Sequence, residues 1–144
     1  LEMREALIDP ILGVYSAIRD ADIPVISGAQ GLVNGLGCGI TAISDVTIAA
    51  DNARFAMPEM RANLPPTLAM LAHLDRIPPK SLLGMVYSTD TIDADRAVAI
   101  GLVSDIVPPV KYSHPPVFIG LKQAVSVWIN NCITETIASV KRAV

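Results

Sequence analysis

The sequence predicts an α/β domain built on a parallel sheet. Three observations carry this. Short apolar runs alternate with helical patterns along the chain. The run Val46–Ala50 shows no polar alternation, as expected of a strand covered on both faces. The segment from Ile23 to Gly39 reads as a buried strand, a glycine-rich turn and the start of a helix.

Each element follows from local chemistry. Over residues 4–20, Leu7, Ile8, Ile11, Leu12, Val14, Tyr15 and Ile18 fall at helical spacing. Pro10 lies inside that pattern and suits the first turn of a helix capped by Asp9. A strand is expected at 23–28 and a helix at 36–43. Val46–Ala50 is the second strand, and Arg54–Met57 a third. Helices at 68–74 and 81–87 each follow a Pro-Pro pair, the plain punctuation of helix starts. Thr91–Gly101 reads as one helix, with Thr91 or Asp93 as cap, acids in its first turn and Gly101 as a left-handed stop. A strand at 102–107 closes on Pro108-Pro109. Beyond Val110 the pattern changes to a loop at 113–116 and helices at about 118–130 and 135–143. The expected organisation is a core over residues 1–109 and a C-terminal helical segment over 110–144.

Composition narrows the function classes. Hydrophobic residues make up 51% and charged residues 17%, which excludes a disordered chain. A net charge of -3 provides no basic footprint for nucleic acid. Apolar stretches are interrupted well before the ~18 residues of a membrane span. The first residues lack a signal-peptide layout, so the expected compartment is the cytoplasm. Cys38 and Cys132 make no disulfide framework, and neither they nor the isolated His73 and His114 have metal-ligand spacing. No metal is expected. Cys38 sits beside a helix N-terminus but has no His or Asp close in sequence to make it a nucleophile. Asp45 and Asp51 flank a strand, where turn and capping roles are expected.

The glycine segment carries the functional signal. Gly31, Gly35, Gly37 and Gly39 fall within nine residues, at a junction where helix N–H groups face outward. The spacing Gly35-Leu-Gly-Cys-Gly39 is not the G-x-G-x-x-G of a dinucleotide site, and no Gly-Lys-Ser/Thr follows. A glycine turn serving packing alone remains open on this pattern. Ala53-Arg-Phe-Ala-Met-Pro-Glu59 follows the next strand and presents one carboxylate. Turn and carboxylate together suit oxyanion stabilisation and proton transfer.

These residues carry a resemblance. Ile23-Pro-Val-Ile26, Gly31, Asn34-Gly-Leu-Gly-Cys-Gly39, Asp45 to Glu59 and Thr91 to Pro108 resemble, in order and spacing, the enoyl-CoA hydratase/isomerase (crotonase) superfamily. The resemblance implies a crotonase-like ββα spiral core, here partial, and an acyl-CoA thioester as substrate. Coenzyme A belongs to that substrate, so no separate cofactor is implied. It implies that the backbone N–H of Leu36 is one oxyanion donor, with Gly35, Gly37 and Pro58 lining the substrate. Leu36 stands where relatives have glycine, which requires a negative φ there. The second donor belongs to a loop that relatives carry ahead of this sequence, so the chain is expected to be truncated at its start.

Two glutamates serve the hydratases of that family. Glu59 matches one, and Gly39 stands where the other would be. Isomerases relying on one glutamate, to remove a C2 proton and return it at C4, resemble this arrangement more closely. Glu59 would then be base and afterwards acid. On sequence alone, a surface or helix-capping acid is the rival reading of Glu59. Pro65-Pro66-Thr67 and Ala69-Met70 replace smaller family residues and are expected to reshape the acyl pocket. A trimer or hexamer is implied by resemblance. Two rival functions stay open: a catalytically silent binding or assembly module of the same fold, and a nucleotide-binding α/β domain with a ribose contact from Asp45 or Asp51.

Overall fold

The computed structural model describes residues 4–109. The chain divides into two units, Leu1–Pro109 and Val110–Val144, and the description concerns the first. The helices expected at 118–130 and 135–143, the loop at 113–116, His114 and Cys132 lie outside the described residues.

Eleven elements follow in chain order: α1 (Asp9–Arg19), β1 (Ile26–Ala29), β2 (Leu32–Asn34), α2 (Leu36–Ile43), β3 (Val46–Ala50), β4 (Arg54–Ala56), α3 (Thr67–His73), α4 (Pro79–Ser88), β5 (Ile92–Asp93), α5 (Ala94–Ala99) and β6 (Asp105–Val107). A π-helical turn (Arg4–Ile8) leads into α1, and a 3-10 helix (Pro58–Ala62) follows β4.

Two three-stranded sheets result. One is parallel throughout, in the order β1-β3-β6; the other runs β2-β4-β5, with β4 and β5 antiparallel. The chain crosses from the first sheet to the second twice. It goes from β1 to β2 through Gly31, whose φ of 67° only glycine adopts cheaply. It goes from β3 to β4 through the turn at Asp51-Asn52. Each crossing is followed by a helix, so two strand–strand–helix turns stack as a spiral. Parallel pairing of β1 with β3 and of β2 with β4 sets the stacking register.

The core is apolar and continuous. Ile43, Ile48, Phe55, Met57 and Leu82 are its largest fully buried side chains. From α1, Tyr15 is buried, and Ile11 and Ile18 pack against the core at helical spacing from it. Leu7, Leu12 and Val14 face outward instead, so only part of the expected apolar face is used.

Several sequence expectations needed correction. Asp9 does not cap α1. The helix runs back into the π-helical turn, the cap position is Ile8, and the Asp9 carboxylate accepts from Arg4 at 3.2 Å. The strand expected at 23–28 is Ile26–Ala29, and that at 102–107 is confined to Asp105–Val107. Thr91–Gly101 is not one helix: Ile92-Asp93 pair with Phe55-Arg54 as β5, and the helix starts at Ala94. Of the two cap candidates, Asp93 serves, accepting the Arg96 N–H at 2.8 Å. Gly101 takes the expected left-handed conformation, φ 80°.

Candidate active site

Register brings the glycine turn and the carboxylate together. In the β2–β4 ladder Asn34 pairs with Ala56, and Gly35 N–H then donates to the Ala56 carbonyl at 3.2 Å. Whatever follows β2 therefore lies beside whatever follows β4. The first is the N-terminal turn of α2; the second is Met57-Pro58-Glu59. This is the C-terminal edge of parallel strands, where open α/β sheets form ligand crevices.

Gly35 is glycine for two reasons. Its φ is 51°, and a Cβ there would lie 3.0 Å from Glu59 Oε1. The positive φ is spent at Gly35, and Leu36 is not among the described non-glycine residues with positive φ. The backbone condition that a leucine sets at this position is met. Leu36 opens α2, so its N–H has no acceptor within the helix. Gly37 has ordinary space, with Val33 Cγ1 3.5 Å from a built Cβ.

Glu59 is held by the 3-10 helix. Pro58 starts it, where a missing N–H costs nothing. Asn63 ends it in the left-handed region, at φ 55°. Arg61 ties it to the end of α4, donating from Nε to Thr89 Oγ1 at 2.8 Å and from Nη2 to the Thr89 carbonyl. The carboxylate is neither a surface acid nor a cap. Its Oε2 is enclosed and, among the described residues, has no hydrogen-bond partner. An enclosed carboxylate oxygen needs a hydrogen-bond partner, which water or a ligand supplies.

Sequence reasoning missed Tyr15, treating it as one apolar residue of a helical face. Its hydroxyl reaches α2 at Gly39, where a built Cβ would collide with it. Burial raises the Tyr15 pKa above its ordinary value, and the Cys38 thiol and Glu59 carboxylate add to the rise. The phenol therefore stays protonated through the neutral range. The space beside Gly39 is filled by this hydroxyl from α1.

Cys38 and His73 form a separate buried pair. His73 Nδ1 lies 2.6 Å from the Ala69 carbonyl, which can only accept, so Nδ1 carries the proton. Nε2 then accepts from Cys38 Sγ at 3.4 Å. Burial, with Glu59 adding to it, pushes the Cys38 thiol up to about 12. Burial likewise lowers the His73 pKa, opposed by the bond to Ala69. A protonated thiol against a neutral imidazole is a structural pair between α2 and α3, in keeping with the reading that Cys38 is no nucleophile.

Other candidates resolve simply. Asp45 Oδ2 accepts the Val25 N–H at 2.8 Å, a turn role as expected. Pro66 lies at the cap of α3, Ala69 is buried, and Met70 packs on the core, so the bulkier loop does fill space near α2. A cavity of about 260 Å³ lined by Thr41, Asp45, Arg76 and Ser104 lies at the other end of α2 and does not include Glu59. Among the described residues there is no cluster able to hold a metal ion. No helix among them is long and apolar enough to cross a membrane.

Comparison with known proteins agrees with this fold. The sequence pattern of the family Enoyl-CoA hydratase/isomerase matches residues 4–122. The chain is 38% identical to 2,3-dehydroadipyl-CoA hydratase of Escherichia coli K12 over 96 residues, 66% of this chain and 38% of that one. It is 35% identical to Crotonyl-CoA hydratase of Syntrophomonas wolfei over 97 residues, 67% of this chain and 37% of that one. Human Enoyl-CoA hydratase domain-containing protein 3, mitochondrial, is 31% identical over 111 residues, 77% of this chain and 37% of that one. The crystal structure of the human domain-containing protein 3 superposes with a TM-score of 0.75 and 25% identity, covering 96% of this chain and 49% of that one. Enoyl-CoA hydratase of Mycobacterium smegmatis gives a TM-score of 0.76 at 25% identity, over 93% and 47%. The chain thus spans about two fifths of the length of the curated relatives it matches. Its described part has their α/β crotonase fold.

Proposed function

The chain belongs to the enoyl-CoA hydratase/isomerase family, and from that premise we propose that it processes an enoyl-CoA thioester with Glu59 as the single carboxylate acid/base. The observation that supports this most is the enclosed, unpartnered Oε2 of Glu59 beside the first turn of α2. In this reading the Leu36 N–H receives the thioester oxygen. Charge that develops on that oxygen as the C2 proton moves meets a dipole already aimed at it. Gly35, Gly37 and Pro58 let the substrate approach the backbone closely. Glu59 removes or returns the proton at C2, serving double-bond isomerisation or hydration. Coenzyme A enters as part of the substrate. By resemblance the working assembly is a trimer or hexamer. The free, buried Cys38 suits a reducing compartment, with the cytoplasm as our reading.

Incubation with a 2-enoyl-CoA and a 3-enoyl-CoA tests the proposal. Hydration or isomerisation, abolished by Glu59→Gln, is the expected result. Full activity in that variant contradicts it. A second reading, a silent module that binds acyl-CoA without turnover, is favoured by one observation: no carboxylate stands at Gly39. Calorimetry showing CoA thioester binding by a protein that turns over neither substrate selects it.

A further inference from the structure

Two side-chain oxygens from different elements lie against the first turn of α2. Glu59 Oε1 comes from the end of β4 and lies 3.0 Å from the place a Cβ on Gly35 would take. The Tyr15 hydroxyl comes from α1 and takes the place of a Cβ on Gly39. Gly39 N–H bonds to the Gly35 carbonyl at 3.0 Å, so the two glycines are one helical turn apart. The Glu59 carboxylate helps to raise the pKa of the Tyr15 phenol, as a neighbouring negative charge does. A water bridging the two oxygens would satisfy both. Among the described residues, Glu59 Oε2 is the enclosed oxygen that lacks a partner.

We propose that Tyr15 is a positioning residue of this site, whose hydroxyl over Gly39 holds, with Glu59, the water that adds to the substrate double bond. The inference rests on the reading of Glu59 as acid/base and decides between the two reactions left open above, in favour of hydration. The step balances. Glu59 takes one proton from the water, and the water oxygen bonds to C3. The π pair of the double bond moves onto C2 and the thioester oxygen. The resulting enolate then takes the proton from Glu59 at C2, which restores the carboxylate. Tyr15 keeps its proton throughout, and its role is to orient the water. Among the described residues, the Cys38 thiol bears on the phenol beside Glu59, and burial keeps it protonated.

Tyr15→Phe removes the hydroxyl and keeps the ring. Two rates are compared in wild type, Tyr15→Phe and Glu59→Gln: hydration of a 2-enoyl-CoA, and exchange of the C2 proton of a saturated acyl-CoA in heavy water. Hydration by Tyr15→Phe is expected to fall at least about tenfold in kcat with KM within about twofold. Exchange, which needs Glu59 but no positioned water, is expected to fall by a factor several times smaller. Glu59→Gln is expected to lose both. Undiminished hydration in Tyr15→Phe overturns the inference, as does equal loss of both rates. Absence of hydration in wild type also overturns it, whereas exchange that survives Glu59→Gln overturns the underlying reading of Glu59. A measurement without turnover stands beside these: ultraviolet titration of Tyr15, assigned by difference from Tyr15→Phe. Glu59→Gln is expected to lower its midpoint, and an unmoved midpoint contradicts the convergence of the two groups.

Discussion

Two polar pairs flank the same helix, and they differ in how they are satisfied. On one side of α2, Cys38 and His73 complete each other, and the imidazole donates its Nδ1–H to the Ala69 carbonyl. At its first turn, Tyr15 and Glu59 approach the glycines, and among the described residues a carboxylate oxygen is left enclosed without a partner. Both pairs are paid for in desolvation. The first returns that cost within the fold, as a staple between α2 and α3. The second does not within the described residues, and a water or a ligand would return it. Thiol and imidazole are the more familiar chemical pair, yet burial has made them inert. Completeness of hydrogen bonding, more than residue type, separates structure from site here.

The comparison can be broken from either side. His73→Ala leaves a cavity and removes the acceptor of the Cys38 thiol, so a loss of about 3 kcal/mol in unfolding free energy is expected. Turnover per folded molecule should stay unchanged, which urea melts and active-site-normalised rates check together. A large fall in kcat at unchanged stability would move the staple into the site.

Gly35→Ala should strike both properties. The positive φ costs about 1–2 kcal/mol in an L residue, and the new Cβ presses on Glu59 Oε1 at 3.0 Å. Thermal melts should therefore drop, with kcat falling beyond what the unfolded fraction explains. A variant with lower Tm and full kcat would mean the glycine serves the turn alone.

The staple also predicts a pH dependence. The pKa of His73 is lower folded than unfolded, so below about pH 6.5 the unfolded chain binds the extra proton first. The stabilisation is complete above that value and is lost as pH falls through the folded pKa. Urea midpoints should decline between about pH 7.5 and pH 5.5 in wild type, and the decline should be smaller in His73→Gln. Equal slopes in the two proteins would contradict a neutral, buried imidazole.

The smallest effect is expected at the surface. Arg19 bonds both oxygens of Asp75, at 2.8 and 2.9 Å, and holds its pKa at about 2. The pair is exposed and screened, so Arg19→Ala should cost under about 1 kcal/mol. That contribution is present above the ordinary carboxylate value and fades as pH falls towards 2, so the wild type and variant should converge in acid unfolding.

Much of this was legible in the residues. The bounds expected for α2 and β3 match because an uninterrupted apolar run and a glycine-led turn are strong local signals. The pairing of the glycine turn with Glu59 was legible only through resemblance, since it depends on the β2–β4 register. Strands as short as β2 and β5 carry no periodicity to read, and the true cap at Asp93 drew the preceding extended residues into the expected helix. Gly39 was readable as a missing carboxylate. What fills its room was not, because Tyr15 arrives from another helix and looks, in sequence, like any core aromatic.

The central claim is that the incompletely bonded carboxylate does the chemistry and the completed thiol pair does not. The most direct measurement is kcat on an enoyl-CoA for Glu59→Gln and Cys38→Ala, each with its melting temperature. A loss of about 10²-fold or more is expected in Glu59→Gln at near-native Tm, with Cys38→Ala keeping its kcat and losing Tm. The reverse pattern, an active Glu59→Gln and an inactive but stable Cys38→Ala, would contradict the account.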